Sequence, residues 1–198
     1  MKVYTTLRKV DQEAADQALR QGVLDYDRRH GYRGPEGFVD LPVSAANLEE
    51  LLEDALADAD ESNGLVPAIV LEAGLKQVKC YIKGGETAQI SNEGLKFVLK
   101  TLSDNASSKT RLRRGALIRV QKDDKGGWQI LQLPQIESAL VSVVPQDGAI
   151  HALVGGFDFN RSKFNHVTQA WRQPGSSFKP FIYSAALEKG LTAATVIN

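Results

Sequence analysis

Cysteine occurs once in the 198 residues, at Cys80, which excludes a disulfide within the chain and any cysteine-cluster metal site. Histidine is nearly as scarce. His30, His151 and His166 are scattered without the spacing of a metal motif, so no metal and no other cofactor is expected. Neither sign of charge dominates, because Lys+Arg and Asp+Glu both number 24. That balance excludes a globally basic nucleic-acid binder or a polybasic membrane surface. No apolar run approaches the roughly eighteen residues of a membrane span, and no signal-peptide hydrophobic region follows Met1. The expectation is a soluble chain, long enough for one large domain or two small ones.

What is present is ordinary globular texture, 42% hydrophobic and 24% charged, enough to bury a core. The charges cluster locally: residues 49–61 are acidic with no lysine or arginine, and "KTRLRRG" (109–115) is basic. Both are expected to be solvated surface. "KVYTT" (2–6) reads as a short strand, being rich in β-branched and aromatic residues. From Asp11, an Ala- and Leu-rich stretch with Gly31 as its stop predicts a helix, with Ala14, Ala18, Val23 and Leu24 on its apolar face. "GYRGPEG" (31–37) is a loop, and 44–59 predicts a second helix lined by Leu48, Leu51, Leu52 and Ala55.

After Asn63-Gly64 the texture changes. "VPAIVLEAG", "QVKCYIK", "ETAQIS", "ALIRVQK" and "GWQILQLP" are short apolar or alternating runs between turn signals such as Lys83-Gly84-Gly85 and "KDDKGG" (122–127). With a helical piece at 92–102, five such strands suit a small β-barrel of OB type. An OB barrel often binds oligonucleotides. Here Tyr81, Phe97 and Trp128 are the sole aromatics of the region, too few for base stacking, and nucleic acid is not expected as a partner.

From Ser138, "SALVSVVP" and "AIHALVGG" form a hairpin around "PQDG" (145–148), followed by a polar loop and a helix ending at Gly190. That helix begins at "RQPGSSFKPF" (172–181), which holds the chain's one Ser-x-x-Lys match, Ser176 to Lys179. Residues three apart share a helical face, so the lysine amine can reach the serine hydroxyl. Gly175 permits a sharp entry, and free amides at the helix start can stabilise an oxyanion. A lysine partly buried, with Phe178 as cover, can lose its proton and serve as base. Pro180 falls in the first turn, where its missing N–H leaves no bond unmade. On local geometry alone, a plain serine-capped helix start with Lys179 in water remains the simpler reading.

The flanks weigh against that simpler reading. Residues 138–192, with the hairpin, the "GGFDFN" loop and "RQPGSSFKP" in this order, closely resemble the start of the transpeptidase domain of class A penicillin-binding proteins, 1A type, of Gram-negative bacteria. "VYTTL" and "HGYRGP" resemble the segment that links the glycosyltransferase and transpeptidase domains, and the barrel matches the OB-like insertion in position. The resemblance implies that Ser176 is the acylated nucleophile and Lys179 its general base. The implied substrates are D-Ala-D-Ala stem peptides of peptidoglycan, with β-lactams as mimics of the acyl donor. It also implies a place at the periplasmic face of the inner membrane, with membrane contact only through an N-terminal anchor outside this chain.

The expected fold is mainly β with α: an OB-like barrel plus the α+β N-terminal part of a β-lactamase-like transpeptidase domain. The expected division is 1–64 as interdomain linker segment, 65–137 as OB-like domain and 138–198 as transpeptidase start. The Ser-x-Asn and Lys-Thr-Gly motifs that such a transpeptidase needs do not follow Lys179. Ser103-Asp104-Asn105 lies upstream, in the wrong order, and is rejected. The chain is therefore expected to be an inactive fragment holding half an active site. Two other readings stand beside this one. The barrel is a docking module for a periplasmic, lipoprotein-type regulator, or the Ser-x-x-Lys belongs to a β-lactamase or penicillin sensor.

Overall fold

A computed structural model describes residues 2–42, 47–103 and 105–196. The chain divides into two compact units, residues 1–168 and 169–198.

The larger unit opens with helix α1 (Lys9–Arg29). It starts two residues before the expected Asp11, which sits in the first turn rather than at the cap. Its buried face is Ala15, Leu19, Val23 and Asp27, with Leu24 beside it. The i, i+4 row is thus one residue out of step with Ala14 and Ala18, both exposed. Leucine and valine at 19 and 23 remove more apolar surface from water than the alanines, and this sets the rotation.

A six-stranded antiparallel sheet comes next: β1 (Gly37–Phe38), β2 (Val66–Ala73), β3 (Gln77–Ile82), β4 (Thr87–Ser91), β5 (Ala116–Lys122) and β6 (Trp128–Leu131). The five runs read from the sequence are the strands β2 to β6. β2, β3 and β4 form a meander, and β5 returns beside β2, pairing Val66 with Val120 and Ile69 with Leu117. The other edge of β5 is shared. β1 pairs Leu117 and Ala116, and β6 pairs residues 119 to 122. Inward-facing Ala68, Val70, Val78, Cys80, Ile82, Ile90, Ile118, Val120 and Ile130 meet in one core with Leu95 and Val98. The last two come from residues 92–101, which the sequence places in a helix and which form a 3₁₀ helix. This is the OB-type arrangement of five strands and one connecting helix.

β2 is buried on both faces from Pro67 to Val70, and β3 from Cys80 to Ile82. Their outward residues Ile69 and Tyr81 lie under helix α2 (Leu48–Ala57), against Leu52 and Leu56. Alternation along a strand sends successive side chains to opposite faces, so a covered outer face makes the run read as continuously apolar. The Lys83 ammonium closes the C-terminal end of α2, donating to Ala57 O and Ala59 O at 3.0 and 2.9 Å. The start of the expected second helix, at 44–46, lies outside the described residues. The segment expected to be linker thus contributes β1 to the sheet and α2 to its outer face.

A second, two-stranded sheet holds β7 (Leu140–Val143) and β8 (Ile150–Val154), the expected hairpin. α1 packs on it, and Ala15, Leu19 and Val23 share a core with Ala152, Val154, Phe157, Leu65 and Leu131. The strand expected at 2–6 is absent, for a physical reason. The outer edge of β8 is already occupied: Thr6 Oγ1 donates to Ile150 O, Arg8 N to His151 O, and the Gln12 amide both donates to and accepts from Leu153. Side-chain and helix-entry groups take the places of a ladder, and Val3 and Tyr4 stay exposed.

Candidate active site

Ser176 and Lys179 lie in the smaller unit. Pro174 (φ −65°) and Gly175 (φ +55°) turn the chain into a 3₁₀ turn, Gly175–Phe178, that runs directly into helix α3 (Lys179–Glu188). Gly175 is in the left-handed region, which glycine alone enters without strain. The Ser176 carbonyl accepts the Lys179 N–H, which fixes the two residues three apart on one turn. Pro180 sits in the first turn of α3, where no backbone donor is needed. Gly190 ends the helix at φ +84°, and Leu191 N closes back on Ala186 O at 3.1 Å.

The sequence expectation of a lysine covered by Phe178 meets a different surrounding. Ser176, Lys179 and Phe178 are all exposed, and the Phe178 ring lies beside Phe181, tilted by 39° with centroids 5.6 Å apart. Among the described residues, no hydrogen bond joins the Ser176 hydroxyl to the Lys179 ammonium. α3 has no buried residue, and Phe181, Ile182, Tyr183 and Leu187 are likewise exposed.

The loop upstream, 155–168, is ordered by dense hydrogen bonding. Its ends meet where His166 N donates to Gly155 O at 2.8 Å, and Asn165 Oδ1 accepts from Val167 N and Thr168 N. Gly155 makes this possible, since a Cβ there would lie 2.6 Å from the Asn165 side chain. Phe157, 1% exposed, plugs the core beneath α1. Asp158, 7% exposed, accepts from Ser62 Oγ at 2.5 Å and from Asn160 N at 2.9 Å.

Sequence reasoning did not single out Ser62, Asn63, Glu137 or Asp158. Their partners lie 20 to 96 residues away in the chain. The one available signal was an acidic residue inside the apolar "GGFDFN" stretch. The three histidines each have a local contact: His30 with Tyr26 O, His151 with Asp11, and His166 with Gly155 O. No cluster of metal-ligating side chains occurs among the described residues.

Two further polar knots hold the barrel to its surroundings. Arg33 donates to Asp27 at 2.8 Å and to Leu133 O at 2.6 Å, while Gln132 donates to Asp27 and to Gly31 O. Arg119 forms a forked pair with Glu36. Asp27, Gln132 and Arg119 are buried, and each has its hydrogen-bonding groups engaged, as burial of polar groups requires.

Comparison with known proteins gives two family matches. Residues 32–136 match the penicillin-binding protein OB-like domain, and residues 139–198 match the penicillin-binding protein transpeptidase domain. Penicillin-binding protein 1A of Neisseria gonorrhoeae is 43% identical over 198 residues, all of this chain and 25% of that protein. Penicillin-binding protein 1A of Escherichia coli (strain K12) is 42% identical over 203 residues, covering 100% of this chain and 24% of its own length. The crystal structure of penicillin-binding protein 1A from Haemophilus influenzae superposes with a TM-score of 0.80 at 36% identity, over 99% of this chain and 28% of that one. The chain thus spans about a quarter of the length of these relatives.

Proposed function

Because the chain belongs to the penicillin-binding proteins, we propose that its residues serve peptidoglycan cross-linking as part of a longer, bifunctional glycosyltransferase and D-Ala-D-Ala transpeptidase. The observation that carries the reading is the placement of Ser176 and Lys179 on one turn behind a positive-φ Gly175, inside the stretch matched to the transpeptidase domain.

In this reading Lys179 accepts the Ser176 proton as the serine oxygen attacks the carbonyl of the penultimate D-Ala. The C–N bond to the terminal D-Ala breaks, the leaving amine takes a proton, and an ester to Ser176 remains. The amine of a neighbouring stem peptide then displaces Ser176 and forms the cross-link. A β-lactam undergoes the first half only, its ring amide opening onto Ser176. The reading places these residues at the periplasmic face of the inner membrane, and among the described residues no helix is long and apolar enough to cross a membrane. It keeps the expected division at 1–64, 65–137 and 138–198, with β1 and α2 of the first segment tied to the OB-like sheet, and it leaves the OB-like domain as the surface for a periplasmic regulator.

The test is labelling of the full-length protein with a fluorescent penicillin. Labelling that disappears in Ser176→Ala supports the assignment, and labelling that persists there overturns it. The 198-residue chain alone, which holds no Ser-x-Asn or Lys-Thr-Gly motif after Lys179, is expected to stay unlabelled.

A further inference from the structure

Two cavities open along the flank of α1, both within residues 1–168. The first, of about 350 Å³, lies between α1 and the loop 155–165. The second, of about 360 Å³, lies between α1 and the β5–β6 turn. Arg20 and Asn63 line both, so the two adjoin as one trough where the barrel meets α1. Seams of this kind between packed domains are a common place for ligand sites.

The helix wall of the trough follows from residue spacing. Gln12, Asp16 and Arg20 stand four apart and form a half-buried polar row beside the apolar row Ala15, Leu19 and Val23. Arg20 Nη2 pairs with Asp16 at 3.2 Å, but Arg20 Nε is buried with no hydrogen-bond partner among the described residues. A buried donor left unpaired costs about 1–3 kcal/mol, so the position calls for an acceptor. The side-chain amides of Gln17 and Gln121 line the second cavity and make no hydrogen bond among the described residues. Phe159 and Phe164 line the first, and are 69% and 45% exposed.

Charge decides the class of ligand. Arg20 and Lys163 stand against Asp16 and Asp158 in the first cavity, and Arg20, Arg28 and Lys122 against Asp123 and Asp124 in the second. Walls so nearly neutral give an anion little electrostatic gain. Carboxamides both donate and accept, which suits a ligand carrying both kinds of group. Phenyl faces suit one that also presents C–H surface. A chain of acetamido sugars meets all of these demands. We propose that this trough binds a neutral glycan of N-acetylated amino sugars. Arg20, Gln17 and Gln121 take its hydroxyl and acetamido groups, and Phe159 and Phe164 take its ring faces. The inference goes beyond cross-linking at Ser176 and uses no residue of 169–198.

The experiment titrates the isotope-labelled 198-residue chain with the tetramer of N-acetylglucosamine and follows its amide signals by NMR. Saturable shifts are expected at the Gln17 and Gln121 side chains and along the loop 155–165. Arg20→Gln is expected to weaken binding about ten-fold or more, the loss of one charged hydrogen bond. Phe159→Ala is expected to weaken it several-fold, and Gln89→Ala, on β4 and outside the trough, to leave it unchanged. Inorganic phosphate at the same concentration is expected not to displace the sugar. Should Arg20→Gln not fold, Phe159→Ala decides the question, since its ring is largely exposed. An absence of saturable shifts, shifts centred elsewhere, wild-type affinity in the trough variants, or displacement by phosphate would each overturn the inference, the last by making the trough an anion site. Penicillin labelling at Ser176 and sugar binding at Arg20 are separate readouts, so either reading can fail without the other.

Discussion

The guanidinium of Arg119 grips the Glu36 carboxylate through two parallel hydrogen bonds, Nε to Oε1 at 2.7 Å and Nη2 to Oε2 at 2.9 Å. Arg119 is 5% exposed on β5, and its Nη1 also reaches Asp60 O and Leu65 O. One arginine thereby ties together the start of β1, the end of the α2 connection and the turn into β2.

This geometry sets the cost of breaking the pair. Glu36→Ala leaves a buried, unpaired cation and is expected to destabilise the folded protein by about 3 kcal/mol or more in urea unfolding. Replacing both partners by apolar residues of similar size, Glu36→Leu with Arg119→Met, is expected to recover most of that loss. A double variant as unstable as Glu36→Ala would contradict the account.

Cys80 lies in the barrel core, and burial, with Glu86 adding in the same direction, pushes its thiol from 9.0 up to about 12. Below pH 9 the thiol is protonated in both folded and unfolded chains, and its stabilising contribution is complete. Between pH 9 and 12 the unfolded chain releases the proton and the folded one keeps it, so stability falls as pH rises, by about 1.4 kcal/mol per pH unit for this group. The slope of unfolding free energy against pH above 9 is expected to be shallower in Cys80→Ala. At pH 8 a thiol-reactive reagent is expected to modify Cys80 only after denaturation.

Gly155 is held against the Asn165 side chain, with no room for a methyl group. Gly155→Ala is expected to displace Asn165 and cost about 1–3 kcal/mol. Hydrogen exchange at the Val167 and Thr168 amides, which Asn165 holds, should accelerate with it. Unchanged protection there would mean that the loop absorbs the methyl group elsewhere.

Ser176 and Ser177 are neighbours with different expected roles. In the full-length protein, Ser177→Ala should retain penicillin labelling within a few-fold, and Ser176→Ala should abolish it. Lys179→Ala should slow acylation by about 10²–10⁴-fold, the range for loss of a general base. Equal effects from both serines would remove the distinction drawn between them.

Much of the architecture was legible in the residues. β2 to β6 stand where short apolar or alternating runs meet turn signals, and the 140–154 hairpin stands where "PQDG" separates two apolar runs. β1 was not legible, because two residues carry no period; it exists because Leu117 and Ala116 offer it a ladder. The strand expected at 2–6 has suitable side chains, yet Thr6, Arg8 and Gln12 meet the edge of β8 in another way. The helix α1 was legible, but its rotation was not, since that depended on which face β8 would cover.

By itself the sequence determined most of the elements, β2 to β6, α1 and the 140–154 hairpin among them, and the candidate chemistry. Local periodicity selects strand or helix, and a serine three residues before a lysine on a glycine-entered helix is a short-range relation. Tertiary structure alone decided the polar connections: Asp27 with Gln132, Arg119 with Glu36, and Ser62 with Asp158 are 105, 83 and 96 residues apart. Hydrogen bonds need donor and acceptor within about 3 Å, and only the packed chain brings such distant groups that close.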